Sequence, residues 1–326
     1  MNTAQAQLAP VIEAGGPELS RLLRQTETRL AQVAEGHGNE LARHAGGILA
    51  AGGKRLRPLL VFLSGRPDRS ELLPAAVAVE LLHMATLVHD DVLDRAMLRR
   101  GRPTVFAEGG RTAATATGNL LFSRAFAELA GAGSAEAVRA LSAASSALAR
   151  GELMQQADAW SDEVTAERYL ERCSLKTASL FEASCRLGAL FGDRPELAEP
   201  LGSFGSRIGL AFQIFDDVLD VAGPTERTGK PRGTDLLDGT VTLPLILARR
   251  RDPQLRELDL RELVTGLAQA GGVCDRIAIS GALGEAREQA LRYVAQAKAA
   301  LSDLGLPERQ LRALELVADG VVERYA

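Results

Sequence analysis

The pentapeptide Asp-Asp-Val-Leu-Asp occurs twice in the chain, at residues 90–94 and again at residues 216–220. Each copy follows a long apolar run with helical spacing, so we expect each to lie at the end of a helix. On a helix the first and fifth residues share a face and the second lies beside them, so each copy presents three carboxylates as one cluster. Carboxylates packed this closely repel one another, and hard divalent cations with oxygen ligands, above all Mg²⁺, relieve that repulsion.

Magnesium takes a few carboxylates and completes its shell with water and phosphate, so two such clusters suggest a cavity that holds a diphosphate. The alternative is that each run of acids is a solvated helix end, which would be preferred for one copy alone. Two identical copies in the same setting favour the metal site. The candidate ligands are Asp90, Asp91, Asp94, Asp216, Asp217 and Asp220.

A diphosphate held by metal ions on one side requires cations on the other side. Lys54 and Arg57 follow two glycines and are three residues apart, so they would point the same way from the first turn of a helix. A bound anion would relieve the unfavourable placement of basic residues at a helix N-terminus. Two solvated surface cations explain this segment equally well.

Further basic residues follow the two acidic clusters or interrupt an apolar segment. Arg99 and Arg100 come shortly after the first cluster, and guanidinium groups bind phosphate oxygens in a bidentate fork. Lys176 and Thr177 lie within a mostly apolar helical stretch, where a lysine can also extend to the surface. Lys230 lies in a glycine-rich stretch after the second cluster, of a kind that closes over substrates or simply connects two helices.

The elements that must position these residues are helices. Aromatic residues make up 4% of the 326-residue chain, Ala, Leu, Arg and Glu are abundant, and runs of alternating β-branched residues are nearly absent. Apolar residues recur at spacings of three and four, and glycine or proline separates the successive stretches. The sequence therefore predicts an all-α fold, with about ten or more helices in one bundle.

Charge and cysteine content limit the classes of partner and compartment. The net charge is −4 and no basic block is present, so we do not expect a nucleic-acid partner. The first residues lack the layout of an export signal, and the most apolar window, residues 72–89, contains Glu80 and His83 and is a poor membrane span. Three cysteines, odd in number, favour a reduced, cytoplasmic setting with a packing role for the thiols.

Taken in order, these motifs resemble the trans-isoprenyl diphosphate synthases, also called polyprenyl synthetases. The resemblance runs from about residue 50 to about residue 246, and the ordered set is far more specific than any one motif. It rests on Gly52-Gly53-Lys54-Arg55-Leu56-Arg57-Pro58, His83, Asp90-Asp91-Val92-Leu93-Asp94, Arg99-Arg100-Gly101, Lys176-Thr177, Phe212-Gln213, Asp216-Asp217-Val218-Leu219-Asp220 and Gly229-Lys230.

The resemblance implies a single domain over residues 1–326, folded as a helical bundle around a deep central cavity and usually homodimeric. It implies Mg²⁺-dependent head-to-tail condensation of an allylic diphosphate with isopentenyl diphosphate, which releases pyrophosphate. The residues that it assigns to isopentenyl diphosphate are Lys54, Arg57, His83 and Arg100. Those that it assigns to the allylic diphosphate are Arg99, Lys176, Thr177, Gln213 and Lys230. A hydrogen-bonded core histidine is the alternative for His83.

Two positions depart from the family pattern, and two others concern product length. The family usually has Asp after Gly118 and Lys after Gly239, whereas this chain has Asn119 and Thr240. Loss of the lysine predicts weaker allylic binding or slower ionisation. Thr86 and Ala85, four and five residues before the first cluster, are small, so we expect the prenyl tail to pass this level and reach geranylgeranyl (C20) length or more. Phe122 or Phe126 could form the floor.

Two other functions remain open at this point. A class I terpene cyclase also ionises an allylic diphosphate, but it does not need the second diphosphate clamp that Lys54, Arg57 and Arg100 suggest. A non-catalytic subunit of a partner synthase would explain Asn119 and Thr240 as relics of lost activity, although such subunits often lose an acidic cluster and this chain keeps both. A peripheral membrane contact for product release is also compatible with the sequence.

Overall fold

The computed structural model describes residues 8–66, 69, 71–99, 101–223 and 231–323. Within these ranges the chain is helical apart from connections and one two-stranded antiparallel hairpin, so the predicted all-α class is confirmed. In chain order the elements are α1 (Ala9–Gly15), α2 (Pro17–Glu35), α3 (Asn39–Ala50), α4 (Leu56–Ser64), α5 (Leu72–Leu93), β1 (Leu98–Arg99), β2 (Arg102–Pro103), α6 (Val105–Gly131), α7 (Ala135–Ala157), α8 (Ala166–Cys173), a π turn (Ser174–Ala178), α9 (Ser179–Phe191), a 3₁₀ turn (Pro195–Leu197), α10 (Ala198–Ala222), α11 (Thr234–Leu237), α12 (Leu243–Arg251), α13 (Pro253–Glu257), α14 (Leu260–Leu263), α15 (Leu267–Ile279), α16 (Ala282–Leu301) and α17 (Glu308–Glu323).

The chain forms two compact units. Unit 1 consists of Met1–Ser145, Leu180–Gly205 and Ala300–Gly320, and unit 2 consists of Ser146–Ser179, Ser206–Ala299 and Val321–Ala326. Unit 1 contains the first acidic cluster, and unit 2 contains the second. The single domain over residues 1–326 stays a prediction.

The core of unit 1 is built around α5. This helix has apolar residues on every side, a pattern typical of a helix that is surrounded by protein. It is long and apolar enough to cross a membrane by composition, but 67% of its most apolar window is buried. Helix α6 packs along it, and Gly118 permits close approach, because a Cβ there would lie 2.3 Å from Nε2 of His89.

Unit 2 places an irregular helical turn beside the second acidic cluster. Thr165 caps α8 by accepting a hydrogen bond from the backbone N–H of Arg168. Helix α8 then widens into the π turn, which carries Lys176 and Thr177. Single π turns inside helices are often found at functional sites. Gly151 of α7 contacts this turn so closely that a Cβ there would lie 2.6 Å from the backbone nitrogen of Lys176.

Candidate functional site

The first acidic cluster lies at the C-terminal end of α5, as predicted. Asp94 caps the helix, and its backbone N–H donates to the carbonyl oxygen of Asp90 at 2.8 Å. Asp90 is half-buried and Asp94 is exposed, whereas Asp91 is only 5% exposed. Because residues four apart share a helix face, Asp90 and Asp94 present two accessible carboxylates on one side of the helix end.

Asp91 forms an ion pair with Arg99. Nε of Arg99 donates to Oδ1 of Asp91 at 2.8 Å, and the hairpin that pairs Arg99 with Arg102 holds the arginine in this place. Burial raises the pKa of Asp91, and Arg99 opposes the rise. Arg99 is therefore brought to the first cluster, while Arg100 lies outside the described residues.

The basic segment before α4 contains a strained, doubly paired arginine. Arg55 has a left-handed backbone with φ of 50°, which is uncommon for a residue other than glycine. Its guanidinium donates to Oε1 of Glu27 at 2.5 Å and to Oε1 of the buried Glu80 at 2.7 Å. Burial alone would lower the pKa of Arg55, but the two carboxylates outweigh burial and raise it. Arg55 thus fixes the turn from which its neighbour Lys54 emerges.

Arg57 has the opposite environment, two residues further along. Its guanidinium carbon lies 4.7 Å from the centre of the Phe181 ring, and its buried Nε makes no hydrogen bond with any described residue. Burial lowers the pKa of Arg57 to about 10, and attraction to Glu80 limits the drop. The side chain therefore stays protonated at neutral pH while its hydrogen-bonding capacity is only partly used, which suits it to an anion.

The remaining predicted residues of unit 1 lie along α5. His83 is half-buried and precedes Asp90 by seven residues, which is about two helical turns, so both lie on one face. Ala85 is fully buried, and the half-buried Thr86 donates from Oγ1 to the carbonyl oxygen of His83 at 2.8 Å. On α6 the rings of Phe122 and Phe126 lie 5.2 Å apart.

In unit 2 the three acids of the second cluster differ sharply in exposure. Asp216 is half-buried, whereas Asp217 and Asp220 are only 4% and 3% exposed. Oδ2 of Asp220 accepts a hydrogen bond from the backbone N–H of Asp235 at 3.2 Å, and its carbonyl oxygen accepts from Gly233 at 2.9 Å. Asp220 therefore holds the segment that follows the glycine-rich stretch, and Lys230 itself lies outside the described residues.

Asp217 belongs to a buried chain of hydrogen bonds. The hydroxyl of Tyr169 donates to its Oδ2 at 2.7 Å, and Nε2 of Gln213 donates to its Oδ1 at 2.8 Å. Oγ1 of Thr177 in turn donates to Oε1 of Gln213 at 2.7 Å. Burial raises the pKa of Asp217 despite the donors, and burial beside this acid raises the pKa of Tyr169. The predicted residues Thr177 and Gln213 are thus brought to the second cluster.

Lys176 is held by two residues of α7 that were not predicted. Its ammonium forms an ion pair with Glu152 and donates to Oε1 of Gln155 at 3.2 Å. The sequence did contain a signal for them, because Glu152 and Gln155 are an acid and an amide three residues apart in a helix rich in Ala and Ser. Tyr169 was also missed, although it precedes Lys176 by seven residues, about two turns.

Thr240, at the position where a lysine was expected, has a fixed backbone. Its N–H donates to the carbonyl oxygen of Asp235 at 2.8 Å. The preceding Gly239 accepts a hydrogen bond at its carbonyl oxygen from the N–H of Trp160 at 2.8 Å, and a Cβ on Gly239 would clash with the tryptophan ring. Asn119, the other departure, is exposed on α6.

The donor set fits a divalent cation that shares its shell with phosphate. No group of three His, Cys, Asp or Glu side chains in the described ranges is arranged as a complete metal site. Mg²⁺ is usually bound by one or two carboxylates together with water and substrate phosphate, so a complete protein cage is not needed. Asp90, Asp94 and Asp216 are the accessible carboxylates, because Asp91 and Asp217 are committed to protein donors.

Comparison with known proteins gives a consistent set of relatives. The family model for polyprenyl synthetase matches residues 39–270. The heptaprenyl diphosphate synthase component 2 of Geobacillus stearothermophilus is 38% identical over 300 residues, which cover 91% of this chain and 93% of the relative. The geranylgeranyl diphosphate synthase of Methanosarcina mazei is 36% identical over 296 residues, covering 87% of this chain and 90% of the relative.

Solved structures give the same result for the fold. The heptaprenyl diphosphate synthase of Staphylococcus aureus superposes with a TM-score of 0.88 at 30% identity, over 94% of this chain and 99% of that protein. A polyprenyl synthase from Caulobacter crescentus, solved in complex with calcium and isoprenyl diphosphate, gives a TM-score of 0.88 at 34% identity, over 95% of this chain and 98% of that protein.

Proposed function

The chain belongs to the polyprenyl synthetase family, and on that premise we propose that it is a trans-prenyltransferase condensing an allylic diphosphate with isopentenyl diphosphate. The product is an all-E polyprenyl diphosphate, and pyrophosphate is released. The single observation that carries the proposal is the ordered set of motifs in a chain that matches this family from residue 39 to residue 270.

Unit 1 supplies the candidate residues for isopentenyl diphosphate. Arg57 is the strongest of them, because it is a protonated guanidinium with a buried Nε that no described residue satisfies. Lys54 lies three residues before it, and His83 lies on the helix that ends in the first acidic cluster. Arg100 completes the proposed set from outside the described residues. A charge-assisted bidentate contact between arginine and phosphate is stronger than a neutral hydrogen bond.

The family resemblance is the basis on which further residues are proposed for the allylic diphosphate. In unit 2 Lys176 provides a cation, and Thr177 and Gln213 provide polar groups tied to the second acidic cluster. In unit 1 Arg99 lies beside Asp91. Lys230 is proposed for the same role and lies outside the described residues. Cations at these positions stabilise the negative charge that develops on the leaving pyrophosphate.

Mg²⁺ is the ion that we propose as cofactor within the divalent class that the donor set fits. Asp90 and Asp94 would hold it at the first cluster, and Asp216 would hold a further ion at the second cluster. When bound, the ion neutralises charge on the leaving diphosphate. The other three aspartates are proposed to position these ligands, because each is bound to a protein donor. Asp91 is paired with Arg99, Asp217 with Tyr169, and Asp220 with the backbone of Asp235.

The chemistry itself requires little from protein side chains beyond charge and exclusion of water. The allylic carbon–oxygen bond breaks with its electrons leaving on pyrophosphate, and the double bond of isopentenyl diphosphate attacks the resulting cation. Attack leaves a cation on the neighbouring carbon of the former isopentenyl unit, and loss of a proton from the adjacent carbon on its diphosphate side restores a double bond, with the released pyrophosphate as the proposed acceptor. Apolar surroundings keep water from the cation.

Product length follows from the small residues before the first cluster. Ala85 and Thr86 offer no aromatic barrier, so we propose a product of C20 or longer. Relatives named as geranylgeranyl, heptaprenyl and nonaprenyl diphosphate synthases support that range.

Assembly and location are also part of the proposal. A homodimer is proposed from the family resemblance, with a peripheral membrane contact for release of an apolar product and a cytoplasmic location. The three cysteines are free and buried, which supports a packing role for the thiols. A second candidate, a subunit that acts with a partner chain, is supported by the relative named heptaprenyl diphosphate synthase component 2.

Product analysis by mass tests the proposal. Purified protein is incubated with Mg²⁺ and each allylic starter, with and without isopentenyl diphosphate. The proposal requires chain elongation only when isopentenyl diphosphate is present. Terpenes formed without it would indicate a cyclase, and elongation seen only after a second polypeptide is added would indicate the partner-dependent subunit.

A further inference from the structure

The ammonium of Lys176 is bound by two protein side chains. These are Glu152, through its carboxylate, and Gln155, through its amide oxygen, both on α7. The two partners lie three residues apart and therefore face the same way from that helix. The side chains of Lys176 and Glu152 are 25% and 17% exposed, so the ion pair is partly shielded from solvent.

The backbone at this contact is built for close approach. A Cβ on Gly151 would lie 2.6 Å from the backbone nitrogen of Lys176 and 3.0 Å from Cβ of Leu175. The π turn over Ser174–Ala178 brings Lys176 against α7 and directs Thr177 toward Gln213. Two adjacent residues therefore have different partners. Lys176 pairs with the acidic Glu152 on α7, and Thr177 joins the chain of hydrogen bonds that ends at Asp217.

We infer that Glu152 is a positioning residue that competes with the allylic diphosphate for Lys176, so that substrate binding requires transfer of the lysine from Glu152 to phosphate. This inference rests on the proposed function of Lys176. The same competition acts in reverse after condensation, because recapture of Lys176 by Glu152 weakens the hold on pyrophosphate and promotes its release.

The sign of the effect separates this role from a merely structural one. Glu152→Gln keeps the shape and the hydrogen bond but removes the competing charge. Partly exposed ion pairs are worth up to about 1 kcal/mol, so the variant is expected to bind the diphosphate roughly two- to fivefold more tightly. A structural contact would instead give weaker binding or an unstable protein when it is removed.

The experiment compares wild type, Glu152→Gln, Lys176→Met and the double variant, with Glu171→Gln as a matched control. Glu171 is an exposed acid of α8, five residues before Lys176. Inorganic pyrophosphate with Mg²⁺ is titrated calorimetrically, and KM is measured separately for the allylic and the isopentenyl substrate. Glu152→Gln should tighten pyrophosphate binding and lower only the allylic KM, and the gain should vanish when Lys176 is Met.

Unchanged or weaker pyrophosphate binding by a folded Glu152→Gln variant would overturn the inference, as would a gain that persists in the double variant. Failure of the proposed function is recognised separately, since wild type would then form no elongated product in any assay. The pyrophosphate titration still decides the inference in that case. Gly151→Ala is expected to act in the opposite direction, with weaker pyrophosphate binding, because its methyl group would displace the π turn.

Discussion

Replacement of Arg57 by Met is expected to stabilise the fold and to abolish efficient use of isopentenyl diphosphate. Burial lowers the pKa of Arg57 to about 10, and at about 1.4 kcal/mol for each tenfold change in proton affinity this corresponds to a cost of roughly 3 kcal/mol. The substitution removes that cost but also removes the contact with the Phe181 ring, worth about 1–2 kcal/mol. The expected net gain in the free energy of unfolding is about 1–2 kcal/mol.

The sign of the pH dependence follows from the lowered pKa. Below pH 10 the guanidinium is protonated in both the native and the unfolded chain, so the full cost of burying the charge is present. Above pH 10 the native chain releases the proton first, and the cost decreases as pH rises. Thermal unfolding at neutral pH therefore measures the full effect, as a rise in Tm of roughly 2–4 °C for Arg57→Met.

Arg55 provides the matched control, two residues away. Its ion pairs with Glu27 and the buried Glu80 raise its pKa, so Arg55→Met leaves a buried carboxylate without its partner. We expect a loss of roughly 3 kcal/mol and a Tm lower by about 6 °C or more. Two arginines in one short segment should therefore respond with opposite signs.

The ligand arm connects stability to function. Isopentenyl diphosphate should raise the Tm of wild type much more than that of Arg57→Met. A ligand stabilises the native state more strongly the more tightly it binds, and only wild type has the guanidinium of Arg57 for the diphosphate to bind. Loss of a charge-assisted contact of about 1.5–3 kcal/mol raises KM for isopentenyl diphosphate roughly 10- to 100-fold. A lower Tm for Arg57→Met, or an unchanged KM, would refute the view of Arg57 as an unsatisfied cation held for an anion.

Three further substitutions test other parts of the site. Thr240→Lys should lower the KM for the allylic substrate and improve turnover, because the backbone hydrogen bond to Asp235 holds position 240 in place for an added cation. An unchanged KM in a folded variant would contradict the assignment. Ala85→Phe should shorten the prenyl chain of the product, as measured by chromatography. Ala85 is fully buried, so Ala85→Leu is the milder variant if Phe impairs folding. An unchanged chain length in both variants would reject the floor model. Tyr169→Phe removes a hydrogen bond to buried Asp217, worth about 1.5–3 kcal/mol, and should lower Tm by roughly 3–6 °C. An unchanged Tm would show that Gln213 alone satisfies the carboxylate.

The sequence predicted the elements better than the contacts between them. Helix α5 and its position before Asp90 could be predicted from the sequence, because a buried helix consists of a continuous run of apolar residues. The left-handed backbone at Arg55 could not be predicted, since no glycine marks it and the carboxylates that hold it come from α2 and α5. Likewise, the pair of Lys176 with Glu152 joins residues 24 positions apart, beyond the reach of any local pattern.

The duplicated pentapeptide shows why identical sequence does not give identical chemistry. The second aspartate is buried in both copies, as the helical pattern requires, but Asp91 is neutralised by the cation of Arg99 whereas Asp217 accepts from the neutral donors Tyr169 and Gln213. The guanidinium opposes the effect of burial on Asp91 with a full positive charge, whereas Asp217 relies mainly on two hydrogen bonds. Burial raises the pKa of Asp217 to about 7 despite these donors, so its charge is only partly present at neutral pH, and Asp216 is the carboxylate of this cluster that remains accessible to a cation.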